Sequence, residues 1–107
     1  MQDERKFQRD LVLEIKELFP ECIILENDPH ARQGIPDLLI LYKHKWAALE
    51  CKKSRTASHR PNQAYYVRKM GSMSFARFIY PENKDEVLNE LQATFRPRRA
   101  TRVSRSI

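Results

Sequence analysis

No apolar run in the 107 residues approaches the roughly 20 that a helix needs to cross a bilayer. A helical membrane span is therefore excluded. The opening stretch, Met1-Gln-Asp-Glu-Arg-Lys6, is polar and mixed in charge and lacks the hydrophobic centre of a secretion signal. An intracellular protein, not a secreted one, is the expectation. Only two cysteines occur, Cys22 and Cys51, without CxxC spacing. Zinc has no support, and a disulfide is not expected in a reducing compartment. Cys51 reads as a small buried apolar residue, because a nucleophilic thiol needs an activating His and nothing nearby specifies one. Glycine is equally scarce. Gly34 reads as a turn or a close approach of backbones, and Gly71 as the residue just past the end of a helix.

The most pointed shortage is of acid in the middle of the chain. Residues 43–77 hold nine Lys or Arg and one carboxylate, Glu50. Residues 1–42 are net acidic, residues 78–95 are net acidic, and residues 96–107 hold five Arg and no acid. The overall charge of +6 is thus concentrated in two places. A localised basic surface of this kind suits a phosphate backbone. The length corresponds to one domain, and 41% apolar content is enough for a globular core.

Helical spacing of Phe7, Leu11, Ile15, Leu18 and Phe19 predicts a first helix over 3–19, with Asp3 as N-cap and Pro20 as stop. Cys22–Leu25 reads as a strand, and 26–34 as a polar connection with Asn27, Asp28 and Pro29 as turn formers. Leu38–Tyr42 and Trp46–Lys52 read as a hairpin around Lys43-His44-Lys45. Residues 53–60 read as a polar, mobile link. Pro61 begins a helix to about Met70, Ser74–Tyr80 is a fourth strand, and Asn83–Phe95 is a last helix. The fold class is α/β in the order αβββαβα. A domain over 1–95 is followed by an Arg-rich, flexible tail over 96–107.

Within this order, Gly34-Ile-Pro36-Asp37 leads into the second strand, and Glu50-Cys51-Lys52 ends the third. Alternation sets Glu50 and Lys52 on one face, about 6–7 Å apart. Leu49 and Cys51 take the face assigned to helix packing. Asp37 opens the partner strand, so all three charged groups can meet at one sheet edge. Charged groups beside a core are costly unless paired or bound to a cation. Two hard carboxylates suit Mg²⁺, with Mn²⁺ as a substitute, helped by the Cys51 carbonyl, water and substrate phosphate. A metal would acidify bound water and stabilise a charged transition state. Lys52 can orient or deprotonate the water, or offset phosphate charge. The plain alternative is a structural Glu50–Lys52 ion pair.

Pro36-Asp37 followed by Glu50-Cys51-Lys52 resembles the PD-(D/E)xK nuclease superfamily. Gly34-Ile-Pro-Asp-Leu38, Glu4-Arg-Lys-Phe-Gln8 and Pro61-Asn-Gln63 further resemble its VRR-NUC branch, over about residues 4–80. The branch includes small standalone viral enzymes similar to Holliday-junction resolvases. The resemblance implies a restriction-endonuclease-like fold, a small mixed sheet flanked by helices, and divalent-metal-dependent hydrolysis of DNA. It implies Asp37 and Glu50 as ligands, Lys52 as catalytic lysine, Glu4 as an outer or water-mediated acid, and Gln63 lining the site. It also implies a homodimer acting on branched DNA. Cys51 departs from the usual β-branched residue, and the Arg-rich tail has no counterpart in the pattern.

Glu14 also borders the first helix stripe and rivals Glu4 as outer acid. Lys53, Arg55, His59, Arg60, Arg68 and Lys69 are candidate phosphate contacts, with Arg98, Arg99 and Arg102 of the tail. His44 reads as an exposed turn residue. His30 reads as a loop residue, with an approach to Asp37 across the loop as the lesser alternative. Trp46 and Tyr65-Tyr66 read as core or dimer contacts, with base stacking as the alternative. Competing functions are a flap, nicking or restriction-type nuclease, and a nucleic-acid-binding module without catalysis.

Overall fold

A computed structural model of the chain describes residues 3–28 and 30–97. Helix α1 (Glu4–Leu18) starts at Asp3, whose carboxylate accepts the Lys6 N–H at 2.8 Å. This N-cap satisfies one of the otherwise unpaired amides of the first turn. Strands β1 (Ile23–Glu26), β2 (Leu38–Tyr42) and β3 (Lys45–Cys51) follow. Helix α2 (Gln63–Met73), strand β4 (Phe75–Ile79) and helix α3 (Lys84–Phe95) complete the expected αβββαβα order.

The four strands form one sheet in the order β1-β2-β3-β4. The first two pairings are antiparallel and β3–β4 is parallel. The parallel pair needs a crossover, which α2 supplies. Tyr42 pairs with Lys45, so the hairpin turn is only Lys43-His44, with Lys43 at φ 57°. Left-handed backbone at this position matches the twist of the strands it joins.

Strand alternation divides the sheet into two unlike faces. Leu38, Ile40, Tyr42, Ala47, Leu49, Cys51 and Ile79 belong to the core with the apolar stripes of α1 and α3. Phe19, Tyr42 and Phe95 pack with ring centroids 5.2–5.3 Å apart. The Arg96 guanidinium lies 4.8 Å from the Phe19 ring centre, and its Nε donates to the Tyr42 hydroxyl at 2.9 Å. Arg96 is therefore part of the domain and not the first residue of a tail. Arg98, Arg99 and Arg102 lie outside the described residues.

The opposite face of β3 and β4 carries α2. Two details differ from the sequence expectation. Pro61 lies before the helix: Asn62 adopts the left-handed conformation at φ 71°, and Gln63 is the first helical residue. Gly71 lies inside the helix, which runs on to Met73. A Cβ at Gly71 would meet the Ala76 carbonyl at 3.6 Å. Ala76 pairs with Ala48, so three small residues stack where helix meets sheet. This glycine serves close packing, and the helix ends at Ser74, whose N–H donates to the Met70 carbonyl at 2.9 Å.

Gly34 joins the loop before β2 to the loop before α2. Its φ is +90°, and a Cβ there would lie 2.6 Å from the Asn62 Cβ and 2.9 Å from the Pro61 carbonyl. Both the backbone conformation and the space demand glycine. Gly34→Ala is expected to cost about 1–3 kcal/mol in stability. Thermal unfolding checks this, and an unchanged melting temperature would contradict the close approach.

Candidate active site

The register Leu38↔Leu49, continued by one residue, sets Asp37 opposite Glu50. Asp37 is held from both sides. Its carbonyl accepts the Asn27 N–H at 2.8 Å, and the Asn27 side chain donates to the Pro36 carbonyl at 2.7 Å. The Asp37 carboxylate accepts the Cys51 N–H at 2.9 Å. That bond ties the end of β3 to the start of β2. Glu50 is 2% exposed and Lys52 is 4% exposed.

Glu50 and Lys52 do not form a tight ion pair, for their charged atoms are 4.0 Å apart. The Gln63 side chain bridges them. Its Nε2 donates to Glu50 Oε2 at 2.8 Å, while its Oε1 accepts from Lys52 Nζ at 2.7 Å and from the Arg60 N–H at 2.7 Å. Lys52 Nζ also donates to the Ser58 carbonyl at 3.1 Å. One amide at the first position of α2 thus orients both charged groups. The remaining oxygen of Glu50, Oε1, is buried without a hydrogen-bond partner. An orphaned carboxylate oxygen is expensive and calls for a proton or a cation.

The electrostatics agree. Burial, then the adjacent Asp37 charge, pushes the Glu50 carboxyl up to about 8, against the pull of Lys52. Burial also raises Asp37, with the Cys51 amide opposing it. Two carboxyls side by side in a dry setting resist double ionisation unless positive charge is added. The Cys51 thiol is driven up by burial and by the neighbouring carboxylates, so it is no nucleophile.

The residues brought together are Asp37, Glu50, Lys52 and Gln63. Glu4 is near enough that its charge raises both Glu50 and Cys51. Glu14, its rival, accepts from Lys84 Nζ at 2.7 Å instead. Among the described residues no three His, Cys, Asp or Glu groups cluster as a metal cage. Two carboxylates with an unfilled oxygen still fit a hard divalent ion that keeps water and takes phosphate, as Mg²⁺ does.

The candidate DNA contacts divide. Lys53, Arg55, His59 and Arg60 lie on the connection from β3 to α2, which is exposed but fastened at several points. The Arg55 N–H donates to Glu82 at 3.1 Å, and the His59 ring stacks on Phe78 with centroids 4.1 Å apart. Phe78 pairs with Glu50, so His59 stands beside the site. Arg60 is close enough to pull the Asp37 carboxyl down. Arg68 and Lys69 are exposed on α2, about one and a half turns beyond Gln63. His30 is exposed, and its N–H donates to Asp28 in a local turn.

Arg32 has a part that the sequence reading did not assign. Its guanidinium donates to the Tyr66 hydroxyl at 3.3 Å, adding a cation to the rim where the two loops meet. Phe78 and Asn27 were missed as well. Asn27 stood among turn formers, a weak signal, and Phe78 becomes visible only through the parallel register.

Comparison of the whole chain with protein-family models, with curated proteins and with solved structures gives no match.

Proposed function

We propose that this chain is a divalent-metal-dependent DNA endonuclease with the PD-(D/E)xK fold, acting on branched DNA as a homodimer. The reading is supported most by one observation: Glu50 is buried beside Asp37 with Oε1 unpartnered, while Gln63 holds Lys52 4.0 Å from the same carboxylate. A purely structural ion pair would close to direct contact and would not need a second carboxylate. Two carboxylates and an ammonium at a sheet edge suit hydrolysis of a phosphodiester.

In this proposal Asp37 and Glu50 hold the ion and the Cys51 carbonyl assists. When bound, Mg²⁺ or Mn²⁺ would acidify a water and stabilise charge on the phosphate. Lys52 would align that water or neutralise the leaving side, its position set by Gln63 and the Ser58 carbonyl. Glu4 would act from outside the ligand pair. Arg60, Lys53, Arg55 and Arg32 would hold flanking phosphates, as would the more distant Arg68 and Lys69.

Synthetic four-way junctions, flaps and plain duplex, incubated with the chain in Mg²⁺ or Mn²⁺, test the proposal. Cleavage that requires the ion and is fastest on the junction is the expected result. Fastest cutting of flaps or duplex would replace the substrate class. Salt-sensitive binding with no cutting of any substrate by folded protein would replace the enzyme with a binding module.

A further inference from the structure

Helix α2 has two working sides. Gln63, its buried residue, is aimed at Glu50 and Lys52. At 3.6 residues per turn, Tyr65 falls about 200° round from Gln63, on the side away from the sheet. It is 50% exposed, so it is not the core residue that an aromatic on a helix most often is. Its ring is nevertheless held. Tyr65 and Tyr66 meet edge to face, with centroids 5.1 Å apart and planes at 77°. The Tyr66 hydroxyl in turn accepts from the Arg32 guanidinium at 3.3 Å. Whichever ring supplies the edge, this contact leaves at least one face of Tyr65 open. Cations lie beside that ring. Arg68 and Lys69 follow Tyr65 by three and four residues, the spacing of neighbours on one helix face, and both are exposed. Arg32 stands behind Tyr66, and Arg60 is exposed just before the helix. α2 carries no acid, and among the described residues none of these four cations is in an ion pair.

We infer that Tyr65 is a stacking platform for an unpaired nucleobase of DNA, with Arg68 and Lys69 taking phosphates of the same strand. Every base has a flat π-face that an aromatic ring can cover. A base within a duplex keeps both faces in its own stack, so only an unpaired one is free to use the ring. The brace from Tyr66 and Arg32 matters here, because a ring already held in place loses little freedom when a base settles on it.

The choice of occupant follows from chemistry. An acidic peptide would satisfy the cations and leave the aromatic face idle. A nucleotide strand alternates anion and flat ring, which is what a bare tyrosine beside two cations matches. The platform also deepens the proposed function, on which it rests for the polymer though not for the cutting. Gln63 and Tyr65 lie on opposite sides of a helix about 10–12 Å wide. A strand crossing α2 can therefore set an unpaired base on Tyr65 roughly three nucleotides from a phosphate at Glu50. A branch point is where such a base stands next to duplex.

Fluorescence anisotropy of the full chain in EDTA tests this with two labelled ligands, a fully paired DNA hairpin and the same hairpin carrying a short unpaired thymine stretch. The wild type should bind the second more tightly. Tyr65→Ala should weaken that binding by about tenfold and leave the paired hairpin unchanged. Tyr65→Phe should restore it, because stacking needs the ring and not the hydroxyl. Arg68→Ala should weaken both ligands alike. Tyr65→Trp should keep the preference, and its added indole emission should be quenched by the unpaired ligand. Circular dichroism melts check folding, and Tyr65→Trp decides if Tyr65→Ala unfolds. Full affinity of Tyr65→Ala for the unpaired ligand would overturn the inference. So would an equal loss on both ligands, an unquenched Tyr65→Trp, or a wild type that binds neither hairpin. The cleavage reading fails separately: unpaired DNA held through Tyr65 but never cut in Mg²⁺ would leave the platform standing and remove the hydrolysis.

Discussion

Asp37→Asn, Glu50→Gln and Lys52→Ala are each expected to lower metal-dependent cleavage by at least about a thousandfold while DNA affinity changes little. The first two remove charge from the pair that would hold the ion. Each keeps the size of the side chain, and the amide that replaces the Asp37 carboxylate still offers an oxygen to the Cys51 N–H. Lys52→Ala removes the only ammonium bonded to Gln63 among the described residues. Binding is spread over many exposed cations beside and beyond these three, so a gel-shift measurement without divalent ion should scarcely move. Single-turnover rates on a junction make the comparison. A Lys52→Ala protein that cuts near the wild-type rate would remove lysine from the mechanism and leave a two-carboxylate site.

The second large effect is on stability. The Glu50 carboxyl rises from an ordinary 4.5 to about 8 in the folded chain. Between those values the folded protein keeps a proton that the unfolded chain has released. Stability should therefore fall as pH rises from about 4.5 to about 8 and then level off. Asp37, also raised, acts in the same direction. A divalent ion added at about pH 8 should reverse the loss, since it takes the place of the proton. Glu50→Gln needs neither proton nor ion. In EDTA at high pH it should be more stable than wild type by a few kcal/mol, on the order of 10 °C in melting temperature for a domain of this size. Melts in EDTA across this pH range settle the point, and a flat wild-type profile would show that Glu50 ionises without cost.

Elements whose signal is local were legible in the sequence. The α1 stripe and the β2–β3 hairpin needed only periodicity and a turn, and the structure shows both. The Asp37, Glu50 and Lys52 positions were legible too, because charge amid apolar strand residues stands out. Elements whose logic is long-range were not. Gly71 looked like a helix terminator since Ala76 and Ala48, its actual partners, come together only in the folded sheet. Glu14 rivalled Glu4 until Lys84, seventy residues on, was seen to hold it. The 53–60 connection looked mobile because its anchors, Glu82 and Phe78, lie in another part of the chain.

Gln63 has one further consequence. An amide side chain has unlike ends, one that only donates and one that only accepts. If it were turned over, its NH₂ group would face the Lys52 ammonium and its oxygen would face Glu50. Both contacts would repel, and a proton on Glu50 would relieve only one of them. The bridge therefore works like a keyed connector that seats in one sense only. It fixes the direction of the local field along the line from carboxylate to ammonium. Under the proposed hydrolysis, a site polarised in advance would have little reorientation left to do as charge shifts, and reorientation is a large part of the barrier that such reactions face in water. The fold sets that direction with a neutral residue at the first turn of a helix, which is itself seated against Gly34.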